Sequence, residues 1–408
     1  MRTVRITAAL LALTSGMSGL GILGVNAAHA AGIVDTGVSK QTRGYVLTQL
    51  RFVTPGAGPG DCPSGFNEGY SQRFLSALAP EERKPYEADP KLLQQALAPW
   101  YYDNPEQDPC ANPEAFSDPG MHTIDRPLAL QRMAPDGSLS VQELPPGQCP
   151  TADAFAAMVE QRTIDNQYWR VMGCVRGYQP GGIVEAFSDS GILDGSMTIV
   201  LEIDGPASGG NGDVEVRLYS SEQPVTIGTD GAPLPFATFP AVPEQRFHNV
   251  ARGRLQDGVL TTERFDLRLI RAAQRMDSEY YLRDARLRLE LDPETGVASG
   301  YVGGYSDLEW LAHAEIRIQD RTGRSSGKPA ADAHGYTCPG KYYAIQRLAD
   351  GHPDPQTGQC RSISVLHSVR AVPAFVLGPE ASPDGDSTTS HGAATAQLES
   401  NTAQQDTP

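Results

Sequence analysis

Between residue 183 and about residue 320 apolar and polar positions alternate with the two-residue period of a half-buried strand. Ser196-Met197-Thr198-Ile199-Val200-Leu201-Glu202-Ile203 reads as a strand that ends at Asp204-Gly205, and the alternation runs through Val214-Glu215-Val216-Arg217-Leu218-Tyr219. It returns in Phe265-Asp266-Leu267-Arg268-Leu269-Ile270 and Ala285-Arg286-Leu287-Arg288-Leu289-Glu290-Leu291. One face of each segment is apolar and the other polar or charged, as in a strand held between a core and water. Asp-Gly pairs at Asp194, Asp204, Asp230 and Asp257 punctuate the region, and this dipeptide readily supplies the positive φ angles of tight hairpins. Gly300-Tyr301-Val302-Gly303-Gly304-Tyr305 reads as a further strand that another backbone approaches closely. The pattern predicts a central antiparallel β-sandwich or barrel-like unit, and argues against a parallel α/β sheet.

Outside this region the period changes. Residues 44–53 read as a strand that breaks at Pro55-Gly56-Ala57-Gly58-Pro59-Gly60. Pro80-Glu81-Glu82-Arg83 starts a helix, with proline in the first turn and acids at the positive end of the dipole. Helical spacing predicts further short helices over 90–98, 152–160 and 339–349, the last ended by Asp350-Gly351. Asp292-Pro293-Glu294-Thr295-Gly296 and Asp354-Pro355-Gln356-Thr357-Gly358 are similar, but their flanks are not, so both are expected to be independent turns. The expected class is mainly β (α+β), with short-helix segments before and after the β unit. Composition sets the boundaries: 31–182, a strand plus loops and short helices with four cysteines; 183–322, the antiparallel unit; 323–378, a helix and strand segment with a cysteine pair packed on the core. Residues 379–408 contain Leu398 as their one large aliphatic and are expected to be disordered.

The front of the chain assigns a compartment. Arg2 and Arg5 precede an apolar run over 6–25, and Ala28-His29-Ala30 forms a small-x-small site before Ala31. This reads as a cleaved signal peptide, residues 1–30. An uncleaved anchor is the rival, weakened by Thr7, Thr14, Ser15, Ser18 and four glycines within the run. The mature chain is therefore expected to be secreted or periplasmic, without a later membrane span. Loss of Arg2 and Arg5 takes the formal charge from −16 to −18, which repels phosphate backbones and argues against nucleic-acid binding.

In an oxidising compartment the six cysteines, Cys62, Cys110, Cys149, Cys174, Cys338 and Cys360, are expected to form disulfides. Sequential pairing, Cys62–Cys110, Cys149–Cys174 and Cys338–Cys360, keeps each bridge inside one compositional unit. No close Cys/His pairs suggest zinc, and no metal site is assigned.

No motif specifies a reaction. Glu202 and Asp204 share a strand face, but the next acid is Asp213, so the second carboxylate of a glycosidase is missing and a solvated face is expected. No two histidines have the spacing of a zinc-hydrolase helix, and the mature chain lacks a Gly-x-Ser-x-Gly elbow. Ser325-Ser326-Gly327-Lys328 spells Ser-x-x-Lys inside a polar linker, where nothing is expected to bury the lysine. The densest polar-aromatic cluster is Asp165, Asn166, Gln167, Tyr168, Trp169 and Arg170, a candidate for sugar or peptide recognition. Its structural reading has Asp165 and Asn166 capping backbone, the rings packed under the Cys174 bridge and Arg170 paired to an acid. No cofactor is expected, although Asp350 and Asp354 leave room for calcium.

The leading expectation is a non-catalytic binding or envelope-associated protein with a glycan, peptide or envelope-protein partner. The alternative is a secreted hydrolase acting on glycan or ester substrates through a site assembled from distant residues. A deep pocket with convergent ionisable groups would favour the enzyme, and a shallow aromatic groove or flat apolar patch the binder.

Overall fold

Eight antiparallel strands close on themselves as a barrel: β1 (Lys40–Phe52), β2 (Thr198–Pro206), β3 (Gly212–Ser221), β5 (His248–Gln256), β6 (Val259–Thr262), β8 (Ser278–Leu291), β9 (Ala298–Asp307) and β11 (Cys360–Leu377), which pairs back onto β1. This computed structural model describes residues 40–379, except 59, 103–107, 126–148, 150–154, 156–165, 208–209, 272–277 and 319–325. The expected signal peptide and polar tail lie outside the described residues, as does the helix expected over 152–160 apart from Phe155. Three strands are additions to the barrel. β7 (Phe265–Arg271) pairs with the first half of β8, β4 (Ala237–Pro240) runs parallel to the end of β11, and β10 (Gly351–Pro353) pairs with its start.

The alternation places one apolar face of each strand inside. Leu47, Ile199, Leu201, Leu218, Leu267, Leu269, Leu287, Leu289, Val302 and Val369 fill one part of the barrel and leave a void of about 10 Å³, room for at most one water. Each fully buried leucine contributes roughly 2 kcal/mol by removal of apolar surface from water. Bulges in β1, at Leu47/Gln49, and in β8, at Arg283/Arg286, adjust the register where the wall bends.

Local signals hold where tertiary pairing does not compete. Asp257 and Gly258, at φ 51° and 80°, form the two-residue turn from β5 to β6. Asp230-Gly231, with Gly231 at φ 79°, turns the chain between the antiparallel-bridged Ile227 and Pro233, whereas the pairs at Asp194 and Asp204 are not hairpin turns. Asp204-Gly205 continues β2, flanked by β1 and β3, and a Cβ on Gly205 would stand 2.4 Å from Val214 Cγ1. Asp194 caps a helix. The stretch expected to be β from residue 183 begins instead with a helix, and helical turns follow β9.

Eight short helices are described: α1 (Tyr70–Ala77), α2 (Pro80–Ala88), α3 (Pro90–Tyr102), α4 (Gln167–Met172), α5 (Ile183–Leu193), α6 (Leu308–Ala312), α7 (Gly327–His334) and α8 (Cys338–Arg347). A π-turn over His313–Arg317 follows α6. Staves β1 and β11 come from the two outer segments and pair with each other.

The disulfides correct the sequential pairing. Cys62 joins Cys174, Cys110 joins Cys338, and Cys149 joins Cys360, with sequence separations of 112, 228 and 211. Two of the three bridges tie the first segment to the last. Barrel closure brings these segments together, and linear proximity of cysteines carries no information about that. Loops this long favour stabilisation of about 5 kcal/mol per bridge on closure entropy alone.

Candidate functional site at the barrel mouth

Where β1 and β7 end and β8 begins, side chains no longer fill the barrel, and a cavity of about 320 Å³ opens beneath α5 and α7. Strand alternation selects its floor. Arg271 lies two residues beyond Leu269 on the inward face of β7, Tyr280 lies two before Leu282 on β8, and His367 lies two before Val369 on β11. Phe52, Val184, Phe187, Met197, Ile318 and Ala330 make most of the remaining wall apolar.

The polar wall is organised around Glu315 on the π-turn. Its carboxylate accepts from Lys341 Nζ at 2.6 Å, from Arg271 Nη1 at 3.1 Å and from the Tyr168 hydroxyl. Lys341, fully buried on α8, also donates to Tyr168 at 3.2 Å and Tyr178 at 3.4 Å, and lies 5.1 Å from the Tyr336 ring centroid. Burial alone would raise the Glu315 carboxyl, but Lys341 and Arg271 outweigh it and hold the group down at about 2. Burial would likewise lower the Lys341 ammonium, and Glu315 reverses that into a rise.

Two imidazoles complete the lining. Tyr280 Oη stands 2.9 Å from His367 Nδ1, and burial pushes His367 down to about 3. His334 packs among Tyr178, Phe187 and Tyr336, and its ring nitrogens have no hydrogen-bond partner among the described residues. Burial, with the nearby Lys341 charge, lowers it to about 4. Both rings are neutral at pH 7.

The candidate cluster at 165–170 separates around α4. Asp165 lies outside the described residues. Asn166 caps the helix, accepting from Trp169 N at 3.2 Å and donating to Val53 O at 3.2 Å. Gln167 N donates to Ser364 Oγ at 3.0 Å, and Arg170 donates to Gln167 Oε1 and to Asp125. Trp169 is buried in a cluster with Cys174. Tyr168 is the member that reaches the cavity wall, through Glu315. Helical geometry turns adjacent side chains about 100° apart, so five successive residues do not share a face.

Sequence reasoning missed Arg271, Glu315 and Lys341, and counted His334 and His367 without placing them. Arg271 carried a readable signal, since it continues the apolar face of β7 beyond its last leucine. Glu315 and Lys341 carried none, because their meeting depends on how α6 to α8 close the barrel end. Lys328 is a correction: it is buried and paired with Asp108 at 3.4 Å, its ammonium lowered by burial. Ser325 lies outside the described residues.

Other candidates are accounted for by local structure. Arg217 pairs with Glu215 at 2.5 Å and lies 3.9 Å from both Glu202 and Asp204 on the strand surface. Asp350 accepts from Ser364 N, and Asp354 from Gln356 N and Thr357 N. Among the described residues no group of three or more His, Cys, Asp or Glu is placed to hold a metal ion. Asp284, His352 and Ser362 form a chain, with His352 Nε2 3.0 Å from Asp284 and Nδ1 2.6 Å from Ser362 Oγ. Ser362 is fully buried, so its hydroxyl presents no surface to a carbonyl carbon.

Three disulfides accord with an oxidising compartment, and among the described residues no helix is long and apolar enough to cross a membrane. Comparison with protein-family models, curated proteins and solved structures found no match to this chain.

Proposed function

We propose that this chain is a non-catalytic binding protein of a secreted or periplasmic compartment, and that the barrel mouth takes one small, mostly apolar molecule. The observation that carries the reading is the cavity of about 320 Å³ at the barrel mouth, lined mainly by apolar side chains with a few polar groups among them. Ionisable groups converge on the cavity, as an enzyme would require. Their protonation states argue the other way. A general base works best with a pKa near the operating pH, whereas Glu315 is tied to two cations and both imidazoles are held far below neutrality. These groups fix the wall and orient a ligand without being poised to move its protons.

Fluorescence titration with the neutral apolar dye N-phenyl-1-naphthylamine tests the reading. Saturable binding by the wild type and at least a tenfold loss in Ala330→Trp, which fills the space below α7, is the expected result. Equal binding by both proteins places the dye elsewhere and defeats the proposal.

A hydrolase acting on glycan or ester substrates, the second reading, would need a nucleophile that substrate can reach, and the buried Ser362 of the Asp284–His352–Ser362 chain does not favour it.

A further inference from the structure

We infer that the ligand of the barrel mouth is an amphipathic monoanion, its acid head on Arg271 and its apolar body between α5 and α7. The inference rests on the binding reading above and names the ligand's class. Three observations carry it.

The first is a charge count. Among the described residues the wall holds two cations, Lys341 and Arg271, against the single carboxylate of Glu315, and the cavity's remaining polar groups are tyrosines, serines and neutral imidazoles. An excess positive charge in a largely desolvated place is unfavourable without a counter-ion, and a bound anion supplies one.

The second is the way the two cations are used. Lys341 directs its donors to Glu315, Tyr168 and Tyr178 and has no exposed surface, so it is committed to the wall. Arg271 gives Nη1 to Glu315, keeps 20% of its side chain exposed, and lines the cavity. Among the described residues none accepts from its Nε or Nη2. A guanidinium with two donors left on one edge matches the two oxygens of a carboxylate. Glu315 fixes the plane of that fork from behind.

The third is His334. It lines the same cavity, and its ring nitrogens lack hydrogen-bond partners among the described residues. Buried polar groups are ordinarily satisfied. A small rotation of the ring toward the cavity would let a ligand oxygen accept its N–H. The rest of the wall, Phe52, Val184, Phe187 and Met197 among it, offers nothing to a second charge and favours an alkyl or aryl body.

The test is titration calorimetry of the full oxidised chain with octanoate, octan-1-ol and octylammonium, which share a tail and differ in the head. Octanoate is expected to bind at least tenfold more tightly than the alcohol, and the ammonium weakest. Arg271→Gln should erase the preference for the acid while leaving alcohol binding within about twofold. Equal binding of acid and alcohol by the wild type overturns the inference and leaves the apolar pocket standing. Absence of binding by all three ligands overturns both readings. The wild-type comparison does not depend on how well the variant folds, and a folded Arg271→Gln that still prefers octanoate also overturns the assignment of the head to Arg271.

Discussion

Replacing Lys341 with methionine removes the ammonium from the wall and leaves the Glu315 carboxylate buried with Arg271 and the Tyr168 hydroxyl. Methionine matches the lysine stem in length, so the cost comes from the charge and not from a cavity. Breaking a buried ion pair from one side costs about 3–5 kcal/mol, because the remaining charge stays desolvated. At about 2 °C per kcal/mol for a chain of this size, the melting temperature at pH 7 should fall by roughly 6–10 °C. A second signature lies in the acid limb. Glu315 has a folded-state value of about 2, below its ordinary 4.5, so its contribution is present above pH 4.5 and is lost as the pH falls toward 2. That difference corresponds to about 3 kcal/mol. Without Lys341 the folded value rises and this part of the acid limb shrinks. Lys341, raised above its ordinary 10.5, contributes below pH 10.5 and loses that contribution as the pH climbs further, so the variant should also lose alkaline sensitivity. The assay is thermal unfolding by circular dichroism from pH 2 to pH 11, with Lys341→Met/Glu315→Gln as the partner variant. The double substitution removes the stranded carboxylate and should recover at least half of the loss. A single variant within 2 °C of wild type, with its acid limb unchanged, would refute the account of the wall.

The two imidazoles make a separate pH prediction. His334 and His367 are depressed from 6.5 to about 4 and 3, so unfolding takes up protons as the pH falls below 6.5, and stability declines by up to about 1.4 kcal/mol per pH unit for each ring. His334→Phe should reduce the proton uptake measured between pH 6 and 5 by about one, and an unchanged slope would show that His334 titrates normally in the folded protein. The disulfide pattern is open to direct mapping. Non-reducing digestion should release Cys62 linked to Cys174, Cys110 to Cys338, and Cys149 to Cys360; recovery of the sequential pairs would contradict the closure of the barrel by the outer segments.

The two-residue alternation determined, without help from tertiary structure, that the chain builds an antiparallel β unit and which side chains fill it. Leu267, Leu269 and Leu287 point inward because side chains two apart share a face. The helix start at Pro80 and the turn at Asp257-Gly258 were legible for a similar reason, since proline and glycine restrict or free the backbone wherever they stand. Choosing a barrel over a sandwich was beyond the sequence, because closure rests on the pairing of β1 with β11 across some three hundred residues. The same closure decided which cysteines meet. It also turned Asp204-Gly205 from an expected turn into strand, as two neighbours supplied hydrogen bonds that local propensity did not foresee. The site follows this division. Arg271 lay on a face that alternation had already marked, whereas the meeting of Glu315, Lys341 and Tyr168 was set by the packing of α4, the π-turn and α8 over the barrel end. No local period encodes a contact between side chains 147 or 26 residues apart.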